Sequence, residues 1–286
     1  FQEVQRGATD HMLHHFTSGA VAGSASILAS QPLDVIRIRM QTAQTTHSGV
    51  IDCASQIMRV EGMQGLYKGV MSPTMTVGFR HSINFFGYNT ALKAMGTSSS
   101  QARPHELAMA GLCSPLLQIP LANVTELVKV RVQTNNSALS GSLLKLEWEV
   151  LRNIFHAEGL RGLACGAQLT AARNAVYGCT YYSMYETVAR TLAGPSERRP
   201  AWVVFSAGGV AGMAPWLISY PLDLLKTHWQ SMQRFGATTI CGMLQNAINT
   251  QGPQWLCRGL GATLMRAAVS NAVVWLVFEN LCAFSS

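Results

Sequence analysis

One eleven-residue pattern occurs three times in this chain and constrains the fold more than any other feature. Its first copy runs from Gln31 to Gln41, as Gln-Pro-Leu-Asp-Val-Ile-Arg-Ile-Arg-Met-Gln. The second runs from Asn123 to Gln133, with Val124 in place of Pro. The third runs from Tyr220 to Gln230, with His228 in place of the second base. The common form is Pro-x-acid-x-x-base-x-base-x-Gln. The acids at 34, 126 and 223 are 92 and 97 residues apart. A second element follows each copy: Glu61-Gly62 to Lys68-Gly69, Glu158-Gly159 to Cys165-Gly166, and Gln251-Gly252 to Arg258-Gly259. Its closing glycines are 97 and 93 residues apart. Two independent elements with one period mean three structural repeats. They divide the chain into 1–99, 100–196 and 197–286, and each reads as helix, sharp turn, short amphipathic segment, helix.

Charge is scarce around these copies. Only 12 % of the 286 residues are Asp, Glu, Lys or Arg, against about 25 % in a soluble domain. No charged residue lies in His11–Leu33, Leu107–Thr125 or Pro200–Leu222, spans of 23, 19 and 23 residues. A bilayer-spanning helix needs about 20 mostly apolar residues. Three further spans hold one charge each: Arg80 in Gly69–Leu92, Arg173 in Gly162–Tyr185 and Arg266 in Gly259–Phe278. Gly, Ser, Ala and Thr dilute all six, and small residues suit close helix contact in lipid. Gly19-x-x-x-Gly23 and Gly208-x-x-x-Gly212 are examples. The opening residues, Phe1 to His15, are polar and do not read as a cleavable signal peptide. Seven scattered cysteines without a CxxC fit neither a metal site nor a disulfide framework. The net charge of +7 comes without a basic block, so nucleic acid is not the expected partner. It suits an anionic membrane surface or an anionic substrate. Neither a phosphate loop nor a nucleophile motif points to an enzyme.

Three copies of the Pro-acid-base signature at this period resemble the mitochondrial carrier family over nearly the whole chain. The resemblance implies an all-α membrane protein of the mitochondrial inner membrane. Six transmembrane helices in three pseudo-symmetric repeats would surround a central cavity, with short helices on the matrix surface near Ser48–Val60, Gly141–His156 and Thr238–Thr250. It also implies a matrix-side gate in which each acid pairs with the base of a neighbouring repeat: Asp34 with Lys129, Glu126 with Lys226, and Asp223 with Arg37. Gln41, Gln133 and Gln230 stand where the family places a residue bracing each pair. Proline removes a backbone donor and bends a helix, so Pro32 and Pro221 are expected to turn the first and fifth helices inward. Val124 predicts a straighter third helix, unless Pro115 and Pro120 upstream take over the bend. The opposite gate reads as incomplete. Tyr88-Asn89 lacks the acid, Tyr185-Glu186 has Ala189 at the basic position with Arg190 beside it, and Phe278-Glu279 has Cys282.

An ionisable residue in a membrane span is a functional candidate by default. By resemblance, the substrate contacts fall at Thr76, Arg173 with Asn174, and Arg266, with Arg80 one turn beyond Thr76. Guanidinium groups bind carboxylate or phosphate in bidentate fashion. Carriers of basic amino acids and carnitine pair the second-site Arg with an acid, where Asn174 stands here. The expectation is therefore an antiporter of a small anionic, carboxylate-bearing metabolite working by alternating access. The alternative substrate is an amino acid or a carnitine-like zwitterion. The alternative role is a carrier-fold structural subunit of a larger inner-membrane (respiratory) complex. No cofactor or metal is expected. Cardiolipin is the expected bound lipid, held near Tyr67-Lys68-Gly69, the one full copy of the family's lipid element, and at Arg258-Gly259.

Overall fold

A computed structural model describes residues 2–42, 49–97, 102–135, 141–194, 201–232 and 239–283. All the regular structure among them is helical. The first repeat contributes α1 (Gln2–Thr42), α2 (Val50–Glu61) and α3 (Met71–Ala94). The second contributes α4 (Pro104–Cys113), α5 (Ile119–Thr134), α6 (Leu143–Leu163) and α7 (Ala167–Ala193). The third contributes α8 (Ala201–Ser231), α9 (Ile240–Gln251) and α10 (Leu260–Ala283). α1 packs on α3 and α10, α3 on α4, α4 on α7, α7 on α8, and α8 on α10, so the long helices close a ring.

The signature prolines do not interrupt their helices. Pro32 and Pro221 lie inside helices that run on without a break. The helix with Val124 is the interrupted one: a 3-10 turn, Ser114–Gln118, separates α4 from α5, with Pro115 inside it and Pro120 opening α5. Pro115 and Pro120 each remove a backbone donor, and of the two outcomes the sequence left open for this helix, the one in which they supply the irregularity is the one that forms.

Each short amphipathic helix packs on the end of its own repeat's signature helix. Cys53 and Ile57 of α2 meet Val35 and Ile36. Ile154 of α6 meets Leu127, Val128 and Val132. Met243 and Ala247 of α9 meet Leu224 and Leu225. The pairs 53/57 and 243/247 are four apart, one turn along a helix face. Two glycines bracket each connection to the next long helix. Gly62, Gly159 and Gly252 open it with φ of 70°, 60° and 76°; Gly69, Gly166 and Gly259 close it with φ of 74°, 70° and 81°. Only glycine takes this left-handed backbone without steric cost, which explains why these two positions recur.

Small residues set the helix spacing. A Cβ at Gly111 would lie 2.6 Å from the Gly178 carbonyl oxygen, so α4 and α7 touch backbone to backbone. Gly23 faces Val77 on α3, and Gly212 faces Asn271 on α10. Gly19 and Gly208 lie in α1 and α8 outside the residues whose side-chain surroundings are described, and Ser48 and Thr238 lie outside the described residues. One stretch among the described residues, His105–Thr134, is long and apolar enough by hydropathy alone to cross a membrane. Large apolar side chains nonetheless point outward along the ring, including Met75, Phe79, Phe86, Leu117, Leu217 and Ile218.

Candidate functional site

The ring encloses a cavity of about 1290 Å³. Its wall holds Asp34, Glu126 and Asp223 together with Arg37, Lys129 and Lys226. Acid and first base stand three apart in each signature, so both face inward from one side of their helix. The ring geometry then pairs them across repeats. Lys129 reaches Asp34, Lys226 reaches Glu126, and Arg37 reaches Asp223. These are the three pairs named from the sequence. Together they link α1, α5 and α8 across one end of the cavity.

The cavity arginines do something the sequence did not suggest: they also bind those acids. Arg80 contacts Glu126 at 3.2 Å, Arg173 contacts Asp223 at 3.2 Å, and Arg266 contacts Asp34 at 3.5 Å. Each of these arginines, on α3, α7 and α10, thus reaches the acid of the following repeat. Arg80 lies one turn further along its helix than the other two and still finds the equivalent carboxylate. Arg173 additionally meets Glu126 at 3.0 Å and donates to Asn174 Oδ1 at 2.7 Å. A wall with no acid available to its arginines is therefore not what forms. Thr76 stands apart. Its hydroxyl donates to the Ser72 carbonyl of its own helix at 2.8 Å, and α3 lines the cavity with Pro73, Val77, Arg80, His81 and Asn84 instead.

The three glutamines hold a different place from the one expected. Among the described residues none of their amides hydrogen-bonds a gate charge. Gln133 Nε2 donates to the Lys68 carbonyl at 2.9 Å, and Gln230 Nε2 donates to the Cys165 carbonyl at 3.2 Å. Gln41 Nε2 donates to the Tyr220 hydroxyl at 3.2 Å, which itself donates to the Arg258 carbonyl. A polar side chain just before the signature's second residue reaches the same three carbonyls: Gln31 at 2.7 Å, Asn123 at 3.1 Å, and Tyr220. The Lys68 and Cys165 carbonyls are thus each held by their own repeat and by the next one, while Gln41 reaches the Arg258 carbonyl only through the Tyr220 hydroxyl. The signal was present in the sequence, because Gln31, Asn123 and Tyr220 share one register and all carry a donor.

The expected lipid element is largely internal. Lys68 is 1 % exposed, and its ammonium meets Glu61 at 2.6 Å and the Asn135 carbonyl at 2.9 Å. Arg39 completes the cluster on Glu61 at 2.5 Å. In the second repeat Arg131 and Glu158 pair at 3.0 Å with Cys165 in the lysine's place. In the third, Arg258 donates to Gln251 at 2.9 Å. The helix after Tyr67-Lys68-Gly69 begins at Met71. There the carboxylate of buried Glu147 accepts from the N–H of Met71 at 2.9 Å and of Ser72 at 2.7 Å. Helix N-termini attract anions, and this one holds a carboxylate from α6.

At the other end of the ring, Glu186 pairs with Arg190 on its own helix at 2.6 Å, and Tyr88 stacks on Tyr182 at 4.1 Å. Phe278, Glu279 and Cys282 lie outside the residues whose side chains are described. Among the described residues no group of acidic, histidine or cysteine side chains could hold a metal ion.

Comparison with known proteins agrees with the repeat architecture. The sequence profile of the family described as "Mitochondrial carrier protein" matches residues 8–99, 100–196 and 197–285. The chain is 31 % identical to Solute carrier family 25 member 47-B of Danio rerio, over 93 % of this chain and 97 % of that protein. It is 28 % identical to the Glutamate/glycine mitochondrial carrier ymc1 of Schizosaccharomyces pombe, over 97 % and 96 %. It is 30 % identical to the Mitochondrial arginine transporter BAC2 of Arabidopsis thaliana, over 92 % and 88 %. With the family profile matched three times along almost its whole length, the chain belongs to the mitochondrial carrier family, whose members are transporters and not enzymes.

Proposed function

We propose that this chain is a multi-pass carrier of the mitochondrial inner membrane that moves a small carboxylate-bearing metabolite by alternating access. The observation that carries the reading is the charge balance of the cavity wall. Six cations (Arg37, Arg80, Lys129, Arg173, Lys226, Arg266) face three anions (Asp34, Glu126, Asp223) there, a formal excess of three positive charges. An anion entering the cavity compensates that excess. Arg173 bridges Glu126 and Asp223, so a substrate carboxylate that takes its guanidinium removes one cation from each acid. Ion pairs beside a water-filled cavity re-form at modest cost, unlike fully buried ones. Substrate binding would thereby loosen the end of the cavity that the three pairs close. The outward apolar side chains along the ring suit a lipid surround. Cardiolipin phosphate is expected at the N-termini of α7 and α10, after Gly166 and Gly259, rather than at α3, where Glu147 stands.

An amino acid is the second reading. Its α-carboxylate suits Arg173, and the Glu126 carboxylate, 16 % exposed to the cavity, offers an ammonium partner. The names of the relatives, an arginine transporter and a glutamate/glycine carrier, favour it. A purely structural subunit is set aside, because relatives covering nearly the whole chain are named as carriers and transporters. The test is exchange by purified protein in liposomes against labelled dicarboxylates, keto acids, L-glutamate, L-arginine and ADP. Carboxylate exchange that disappears in Arg173→Ala is the expected result. Exchange of ADP with no carboxylate would sink the proposal.

A further inference from the structure

Trp216 lines the cavity from α8, seven residues and two helical turns before Asp223. It therefore shares the face of α8 that carries the gate acid. The corresponding positions in the other repeats are Ile27 and Ile119, so the ring belongs to one repeat only. Two guanidinium groups lie over it: the Arg266 carbon 4.5 Å from the ring centre and the Arg37 carbon 5.6 Å away. Both are within the roughly 6 Å over which an aromatic face attracts a cation. Tyr177 meets the indole edge-on at 5.3 Å and fixes its plane. Arg266 is otherwise loosely held. Its contact with Asp34, from Nε at 3.5 Å, is longer than those Arg80 and Arg173 make with the acids and is not a hydrogen bond. A guanidinium stacked on a ring keeps its N–H groups in plane and free to bind a planar anion.

We infer that Trp216 is a positioning residue for Arg266, holding its guanidinium flat so that the N–H edge faces an anionic substrate in the cavity. The inference rests on the anion-carrier reading above. It explains why the ring sits on α8. Arg37 comes from α1 of another repeat and is committed to Asp223, whereas Arg266 and Trp216 come from α10 and α8 of one repeat, which are in contact.

A double-mutant cycle tests the contact without any substrate. The thermal midpoints of full-length protein in detergent are compared for Trp216→Leu, Trp216→Phe, Arg266→Ala and the Leu/Ala double variant. Trp216→Leu is expected to lower the midpoint, Trp216→Phe to lower it less, and the leucine effect to fall by more than half in the Arg266→Ala background. Additive midpoints would overturn the assignment. Kinetics with labelled L-glutamate as probe separate positioning from bulk packing. An aromatic–cation contact of roughly 0.5–2 kcal/mol corresponds to about a 2- to 30-fold change. Trp216→Leu should raise KM by that order with Vmax nearly unchanged, and Trp216→Phe should restore most of it. A loss of Vmax at unchanged KM would also overturn it. If L-glutamate does not exchange at all, the carrier reading fails for this probe, and the midpoint cycle alone decides the role of Trp216.

Discussion

Glu126 is the most heavily used carboxylate in the cavity, and Glu126→Gln is the most informative single change. Its two oxygens serve Lys226, Arg80 at 3.2 Å and Arg173 at 3.0 Å. The variant keeps the shape and removes the charge, raising the formal excess on the cavity wall from three to four. Breaking a buried pair by removing one partner costs about 3–5 kcal/mol. Lys226 is 4 % exposed and Glu126 16 %, so water in the cavity recovers part of that, and about 3 kcal/mol is the working figure. At roughly 2 °C per kcal/mol for a chain of this size, the thermal midpoint in detergent should fall by about 6 °C. Glu126→Asp keeps the charge and should lose about half as much. Glu149→Gln, on the exposed side of α6, is the control and should shift the midpoint by less than about 1 °C. A Glu126→Gln midpoint within 1 °C of the parent would refute the reasoning, since it would mean that water already satisfies all three cations.

The charge swap Glu126→Lys with Lys226→Glu should rescue less than half of the single-variant loss, because Arg80 and Arg173 would then face an ammonium; complete recovery of the midpoint would contradict the shared-acid geometry. Gly69→Ala adds a Cβ 3.1 Å from Lys129 Cγ at φ 74°, whereas Gly96→Ala at φ 70° meets nothing within 4 Å. Both carry about 1–2 kcal/mol of backbone cost, so urea or thermal unfolding should rank Gly69→Ala clearly lower. Glu147→Ala frees the first N–H groups of α3, so added cardiolipin should raise its midpoint more than the parent's; equal gains would count against a carboxylate in the place of a phosphate. Burial pushes the Cys53 thiol up to about 11. It stays protonated at about pH 8 and should resist maleimide in the folded protein, while exposed Cys241 reacts, as read by peptide mass spectrometry.

Much of the ion-pair ring was legible because it is local. Acid and first base stand three residues apart, which places both on one helix face whatever surrounds them, and the repeat period does the rest. Which acid meets which base, Asp34–Lys129, Glu126–Lys226 and Asp223–Arg37, came from the resemblance to the family, and the structure shows the same three contacts. The amphipathic segments were legible for the same reason, and so were the six glycines of the connections, whose left-handed backbone admits little else. Interactions between long side chains of different helices were not. Lys68 matched a surface motif yet turned inward, because Glu61 and the Asn135 carbonyl meet its ammonium in the fold. Gln41, Gln133 and Gln230 matched a bracing position, yet Gln133 and Gln230 hold turn carbonyls of the preceding repeat and Gln41 holds the Tyr220 hydroxyl, groups that only the packing of neighbouring repeats brings within reach of their amides.

By itself the sequence determined the threefold plan, the scarcity of charge and the register that puts acids and bases on facing surfaces. Spacing along a helix fixes direction, and direction is all that those features need. Only the tertiary structure decided that Arg80, Arg173 and Arg266 share the gate acids, that Glu147 occupies the N-terminus of α3, and that Trp216 carries Arg266. Each of these depends on the distance between helices from different repeats and on how far a flexible side chain reaches across it. No period in the sequence encodes that distance. It is set by how closely small residues such as Gly111 and Gly178 let the helices approach.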